Sequence, residues 1–225
     1  MPTNAALKPL AAKLRRQKGV MGVPWPDRDL VPAWRAFNTF DDWYAFVDAF
    51  SLNAHTPLKL SERWTRVQTS YLFAWLSPDH LIAADLLTFT ALEYAVVDRY
   101  GHLTKPRPVY DPKNPHKLMR TSFGKALDYI VTGDGLTDAA LPFCQKHGGQ
   151  VTRRLVLKSP IRPTLPDIRN RLAHGEPLEP GPTAGLPELV RDLIDYAYRD
   201  WPPPSALQPF AGVELALPGR GIPNV

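Results

Sequence analysis

The chain has 225 residues, of which 44% are apolar and 10% aromatic, enough for one sizeable buried core and short for two. Its 25 prolines, about twice the average share, cluster at 104–115, 157–187 and 202–223. The formal charge of +5 is carried by residues 1–26, which hold five basic residues and no acid. The single cysteine, Cys144, excludes an internal disulfide framework and fits a reducing compartment. We therefore expect a cytoplasmic globular body with stiff connections and a basic arm.

The basic arm suits salt-sensitive contact with a phosphate backbone, and a solvated, frayed terminus is the equal alternative. No uninterrupted apolar run follows its charges, so we expect no signal peptide. The most apolar stretch, from Leu81 to Val97, contains Asp85 and Glu93. Because both acids fall inside the run, it favours a buried core helix over a membrane span. We expect a soluble protein without a membrane partner.

Apolar residues recur at helical spacing in several segments, beginning after Thr39, where Asp41 and Asp42 favour a helix N-terminus. Ser61 predicts the cap of a second helix. A third is predicted to begin at Ser77-Pro78-Asp79 and to end at Gly101, a residue that tolerates the left-handed conformation. Further helices are predicted at 117–132, at about 138–147 and at 186–201.

The stretch 105–115 is rich in proline and predicts a loop, not a strand. These elements predict an all-α fold, a helical bundle of four to five main helices with Pro-rich loops and an extended C-terminal tail. We assign residues 1–30 to the basic N-terminal arm, 31–201 to the helical domain and 202–225 to the Pro-rich tail. One short β-like run, 213–217, lies in that tail.

A polar motif occupies Thr164 to Gly175, between two Pro-rich stretches. It predicts a short helix that begins near Pro166 and ends at Gly175, with apolar residues packing inward: Ile168, Leu172 and Ala173. Asn170 and His174 are four residues apart, so they share a helix face. Arg169 and His174 are five apart, about 140° around an ideal helix. They converge only if the helix loosens, if the long Arg swings across, or if a second subunit supplies the complementary copy.

These residue types suit phosphodiester chemistry. The guanidinium of Arg169 can make two parallel charge-assisted bonds to a phosphate and stabilise the charge of a pentacoordinate transition state. The imidazole of His174 can take a proton from a ribose 2′-hydroxyl or give one to the leaving oxygen. The amide of Asn170 can orient either the imidazole or the phosphate. Such a reaction needs no metal.

The order Arg-Asn-x3-His-Gly, late in a helical chain and ahead of one last amphipathic helix, resembles the HEPN superfamily of ribonucleases. The string Ala91 to Tyr100 resembles the long second helix of many members, and Phe123 to Tyr129 resembles the abortive-infection-like branch. The similarity covers about residues 61–201 in element order. Only Arg169, Asn170 and His174 carry over as functional positions.

The resemblance implies a metal-independent endoribonuclease without cofactor, which leaves 2′,3′-cyclic phosphates on its RNA products. It implies a homodimer that brings two motifs into one cleft. It also implies a setting in phage defence or as a toxin, with a separate antitoxin or regulatory protein. One departure matters: members that are neutralised by nucleotide addition carry Tyr two residues after the His, and this chain has Glu176 there.

Glu93 is a candidate third member of the active site, because an acid on the long core helix needs a partner. The preferred alternative for Glu93 is a structural pair with Arg99 or another base. For Asp167 the preferred interpretation is a charge that favours the helix N-terminus. Two other functions stay open: a non-catalytic HEPN-type module that binds RNA or a protein, and an adaptor that uses its Pro-rich tail as a ligand.

Other chemistries find little support. The chain has no Gly-x4-Gly-Lys loop, no His-Glu-x2-His and no Cys-x2-Cys. Cys144 and His147 share a helix turn, but two ligands make a poor metal site, and nothing nearby would orient a Cys–His nucleophile. The remaining histidines have no recurring spacing and are predicted to lie on the surface: His55, His80, His102 and His116.

Overall fold

The computed structural model describes residues 7–14, 20–26, 32–104, 110–111, 114–118, 122–156, 163–176 and 184–201, and these are mostly helical. In chain order the elements are α1 (Lys8–Leu14), β1 (Met21–Pro26), β2 (Pro32–Phe37), α2 (Phe40–Asp48), α3 (Leu58–Phe73), α4 (His80–Thr104), β3 (Tyr110–Asp111), β4 (Asn114–Leu118), α5 (Phe123–Thr132), a 3-10 turn (Asp138–Ala140), α6 (Pro142–His147), α7 (Val151–Val156), α8 (Leu165–Ala173) and α9 (Leu186–Ala197).

Helix α4 is the centre of the fold, since α3, α5, α8 and α9 all pack against it. Its apolar face is buried, including Leu81, Phe89, Leu92 and Val96. By length and composition α4 could also cross a bilayer, a property that it shares with the core helices of folded proteins. Half of its apolar window is buried against the rest of the chain.

The predicted end of α4 at Gly101 is wrong. The helix continues to Thr104, whose hydroxyl donates a hydrogen bond to the Gly101 carbonyl at 3.2 Å. A glycine permits a helix to end but does not force it to, so the packing of the neighbouring side chains determines where the helix ends. Here Tyr100 is buried and its hydroxyl donates to Asp134 at 2.7 Å, which holds this part of α4 against the chain after α5.

Local signals set the other helix starts with mixed success. The Thr39 hydroxyl accepts from the Asp42 amide at 3.1 Å, which confirms the predicted start of α2. Ser61 does not cap α3, which begins three residues earlier, after Pro57. The helix predicted at 117–132 begins only at Phe123, capped by Ser122. The segment 138–147 divides into the 3-10 turn and α6, α7 was not predicted, and α9 ends at Ala197 instead of 201.

Strands β1 and β2 form an antiparallel two-stranded ribbon, so the purely all-α prediction is wrong in this respect. Met21, Val23 and Trp25 alternate along β1 and point into the core. Leu7 and Leu14 of α1 are buried as well, so the described part of residues 1–30 belongs to the globular body. The prolines of β1 obscured the strand, although an edge tolerates proline.

A second antiparallel pair joins β3 to β4. The prediction of a loop without strands at 105–115 is therefore wrong for 110–111 and 114–115, which lie in β3 and β4. The Pro-rich tail 202–225, with its β-like run at 213–217, lies outside the described residues.

Helix α9 carries a partly buried acidic side chain beside its apolar face. Asp195 accepts a hydrogen bond from the Asn53 amide at 3.1 Å, and its pKa is raised to about 6. Burial is the main cause, since it penalises the carboxylate, and Asp192 adds repulsion. The Asn53 amide and Arg191 act in the opposite direction. Between about pH 4 and 6 the folded state thus binds a proton at Asp195 that the unfolded state has lost.

We predict that Asp195→Asn raises the free energy of unfolding at pH 7, by up to about 3 kcal/mol, because the amide keeps an acceptor for Asn53 and carries no charge to desolvate. Proton binding by Asp195 stabilises the folded state below pH 4, and this stabilisation is lost as the pH rises to 6. The gain in the variant therefore vanishes below pH 4. Urea unfolding across this range measures it, with exposed Asp128→Asn as control. A difference independent of pH would contradict the assignment.

Candidate active site

The motif predicted to be a short helix is α8, and its first turn is closed by a reciprocal cap. The Thr164 hydroxyl accepts from the Asp167 amide at 3.3 Å, and the Asp167 carboxylate accepts from the Thr164 amide at 3.1 Å. Pro166 lies in the first turn, where its missing N–H costs nothing. Asp167 thus serves the helix N-terminus, as its preferred interpretation held.

The end of α8 is fixed by Gly175, whose φ of 70° is left-handed. The Glu176 amide donates to the Arg171 carbonyl at 2.9 Å, and the Gly175 amide donates to Leu172 at 3.1 Å. These two bonds form a Schellman motif, which satisfies carbonyls that the helix end leaves open. The Arg171 side chain also contacts Glu176 at 3.1 Å. His174 is consequently held as the C-cap residue, with its side chain exposed.

Helix α8 packs on α4 and α7 through one face. Leu165 and Leu172 are buried, and Ile168 is partly buried against the core. Ala173, which was predicted to pack inward, is exposed instead. Arg169 lies on the adjacent face of α8, and its side chain points toward α4.

Arg169 forms an ion pair with Glu93 across 76 positions of sequence, with 2.6 Å between Nη2 and Oε2. Each side chain is about one-third exposed. The other terminal nitrogen of Arg169 donates to the Asn170 side-chain oxygen at 3.1 Å. The Nε atom of Arg169 is buried and has no hydrogen-bond partner among the described residues.

The partner of Glu93 is thus the motif arginine and not Arg99. The Arg99 Nε donates to the Ala197 carbonyl at 3.0 Å, and its guanidinium lies over Trp201. Glu93, Arg169 and Asn170 therefore meet at one place, between the middle of α4 and α8.

His174 does not join this cluster. Its imidazole makes no hydrogen bond to any other residue that the structure describes, and only its backbone amide contacts the motif, donating to Asn170 at 3.0 Å. The expected contact between the Asn170 side chain and His174 is absent, because Asn170 turns to Arg169. The site therefore presents an anchored guanidinium and, separately, an exposed imidazole at the helix end.

Cys144 and His147 of α6 engage different partners. The Cys144 sulfur lies 3.8 Å from Asp138, and burial raises the pKa of its thiol to about 11. His147 is buried and contacts Glu188 at 3.1 Å. Within the described ranges no group of three His, Cys, Asp or Glu side chains could hold a metal ion. His55, His80 and His102 are exposed as predicted, and the side chain of His116 lies outside the described part.

Comparisons of the chain with protein-family models, with curated proteins and with solved structures return no match. The HEPN resemblance therefore stays a prediction, and the functional argument depends on the geometry of α8 and α4.

We predict that Thr164→Ala lowers the free energy of unfolding by about 1 kcal/mol, because it removes the hydroxyl that caps α8 and its hydrogen bond to the Asp167 carboxylate. Thr164→Ser keeps the hydroxyl and should restore most of the loss. Chemical denaturation of both variants measures the difference. Equal losses for Ala and Ser would mean that the methyl group of Thr164, and not the cap, stabilises the helix.

Proposed function

We propose that this protein is a metal-independent endoribonuclease of the HEPN type, built on a bundle of four to five main helices. One observation carries the proposal. Glu93 contacts the Arg169 guanidinium at 2.6 Å, and Arg169 lies on α8, the helix whose C-cap residue is the exposed His174. A fixed cation for phosphate and an accessible imidazole for proton transfer are the two groups that RNA cleavage without a metal requires.

In the proposed reaction the ribose 2′-oxygen loses its proton and attacks the adjacent phosphorus. The bond from phosphorus to the 5′-oxygen breaks, and that oxygen takes up a proton. The products are a 2′,3′-cyclic phosphate and a 5′-hydroxyl. His174 performs one of the two proton transfers, and its counterpart in a second subunit could perform the other.

Arg169 would bind the phosphate while keeping its anchor. A guanidinium has five N–H groups, and the contacts with Glu93 and Asn170 use one on each terminal nitrogen. The second hydrogen on each of these nitrogens stays free for phosphate oxygens. Glu93 is then a positioning residue, because it orients Arg169 and need not touch RNA.

A non-catalytic module that binds RNA or a protein is the second candidate. The isolation of His174 from Arg169 and Asn170 favours it, since catalysis needs the imidazole and the guanidinium at one phosphate. Binding alone needs no such convergence.

We predict that purified protein cleaves total RNA in EDTA and leaves cyclic phosphates. His174→Ala should lower kcat by about 10²–10⁴, the range for loss of a general acid or base. Arg169→Ala should lower it by about 10²–10³, as for loss of a transition-state donor. Electrophoresis and end-group analysis of the fragments measure both effects.

Two matched controls test specificity: His102→Ala removes an exposed histidine of α4, and Arg171→Gln removes an exposed arginine of α8 that does not contact Glu93. Both should cleave like the wild type. Glu93→Gln should lower kcat more than it raises KM, because a looser Arg169 still meets RNA but stabilises the transition state less well. If the wild type binds RNA but does not cleave it, the result would favour the non-catalytic binding module. Equal cleavage by all variants would contradict the assigned site.

We also propose a homodimer in which α4 contacts its copy. The outward side of α4 exposes Ile82 and Leu87, with exposed fractions of 50% and 37%, at positions about 140° apart around the helix, and Glu93 lies on the side of Ile82. A second copy on it would cover apolar surface and could bring another His174 near Arg169.

We predict that the wild type sediments as a dimer and that Leu87→Glu weakens the association by tenfold or more, since a charge in an apolar interface must be desolvated (about 1.4 kcal/mol per tenfold change). Leu58→Glu, at an exposed leucine that begins α3, should leave the dimer intact. A monomeric wild type at cellular concentration would contradict the dimer.

A setting in phage defence or as a toxin, a cytoplasmic location and a separate antitoxin or regulatory chain belong to this proposal through the family resemblance alone. A second chain that copurifies with the protein from its native cells would support the regulator.

A further inference from the structure

Three basic side chains lie on one side of α3: Lys59, Arg63 and Arg66. Their spacings of four and three residues place them within about 60° of one another around the helix, along about 10 Å of its length. All three are exposed, and none forms an ion pair with any residue that the structure describes. We call these three residues the α3 strip.

Two acids border the α3 strip, and neither is engaged with it. Glu62 is exposed and lies about 100° around α3 from Arg63. Asp98 of α4 accepts a hydrogen bond from the Tyr198 hydroxyl at 2.7 Å. Three cations beside these two acids leave a net positive charge, and the N–H groups of all three cations stay available to an anion.

Arg63 connects the α3 strip to α4. Its guanidinium lies over the Tyr94 ring, 4.3 Å from the ring centroid. The electron-rich face of the ring attracts the cation and restricts its position. This contact leaves the charge of Arg63 uncancelled, whereas the carboxylate of Glu93 both positions Arg169 and offsets its charge. Arg63 is therefore a positioned cation that still attracts phosphate at a distance.

The α3 strip lies beside the Arg169 site, across one surface of α4. Tyr94 directly follows Glu93, so these two side chains are about 100° apart around α4. Thr90, which is exposed and uncharged, lies between them one turn earlier. Arg63 from α3 and Arg169 from α8 consequently flank the same stretch of α4.

We propose that the α3 strip binds the phosphate backbone of single-stranded RNA and directs the strand across α4 to Arg169. A backbone of repeated phosphates is attracted by a row of unpaired cations, and the α3 strip supplies such a row. Contacts of this kind position RNA without reading its bases. The inference rests on the proposed function for the identity of the anion as RNA.

Fluorescence anisotropy with a labelled single-stranded RNA tests the α3 strip, in a His174→Ala background so that the RNA is not cut. We expect Lys59→Gln, Arg63→Gln and Arg66→Gln each to weaken binding several-fold. Each should also reduce the slope of log affinity against log salt by about 0.7, the value for one phosphate contact with a single strand. The triple variant should weaken binding tenfold or more and reduce the slope by about 2.

Two further substitutions serve as matched controls in the same background. Arg153→Gln removes one charge from an exposed arginine of α7 and should change neither the affinity nor the slope. Glu62→Gln should tighten RNA binding, because it removes a charge that repels phosphate beside the α3 strip. Thermal unfolding and sedimentation establish that each variant keeps the fold and the association state of the background protein.

Cleavage assays separate this inference from the ribonuclease proposal. With His174 intact, the triple variant should raise KM with little change in kcat, because these contacts are as strong in the ground state as in the transition state. RNA binding that depends on the α3 strip, without cleavage, would support the strip and contradict the ribonuclease. Cleavage with the KM, affinity and slope of the wild type in the triple variant would overturn the strip and leave the ribonuclease standing. A folded protein that does not bind RNA would contradict both.

Discussion

The ion pair between Arg169 and Glu93 joins the motif helix to the central helix, and the proposed chemistry depends on it. Helix α8 spans nine residues, too few for a helix to be stable alone in water. It persists because both ends are capped and because Leu165 and Leu172 are buried against its neighbours. Within that frame the ion pair fixes where the guanidinium lies. A pair one-third exposed contributes about 0–1 kcal/mol, so its role is orientation more than stability.

Helix α4 can supply this anchor because its position is determined from several sides. Tyr71 donates to the buried Asp85 near its start, and Tyr198 of the chain after α9 donates to Asp98 near its end. Glu93 lies between these two fixed points. The carboxylate that holds Arg169 therefore stands on a rigid element, as a preorganised site requires.

The sequence could indicate the motif helix because its signals are local. Thr164, Asp167 and Gly175 act within a few residues of one another, and all three do what their types predict. Gly101 shows the limit, because whether a glycine ends a helix depends on distant packing. The partner of Glu93 was expected to be Arg99 or another base, and the contact with Arg169 could not be predicted, because it too depends on packing between distant segments. The groove between β2, α2, α6 and α9 was not predicted, since its residues come from four elements and have no common spacing.

The anchor of Arg169 also has an electrostatic consequence. Glu93 offsets the charge of the guanidinium before any phosphate arrives, so the pair attracts RNA less than a lone arginine would. The buried Nε has no partner in the described chain, so only the terminal nitrogens can reach a phosphate without movement of α8. Arg169 would then bridge carboxylate and phosphate through its terminal nitrogens, with its plane set by Glu93. Such an arrangement gives up some ground-state affinity for a fixed orientation, and fixed orientation is what a charged transition state needs from a donor. Attraction of the RNA chain must in that case come from other cations, and the exposed Arg35, which has no carboxylate partner among the described residues, is one of them.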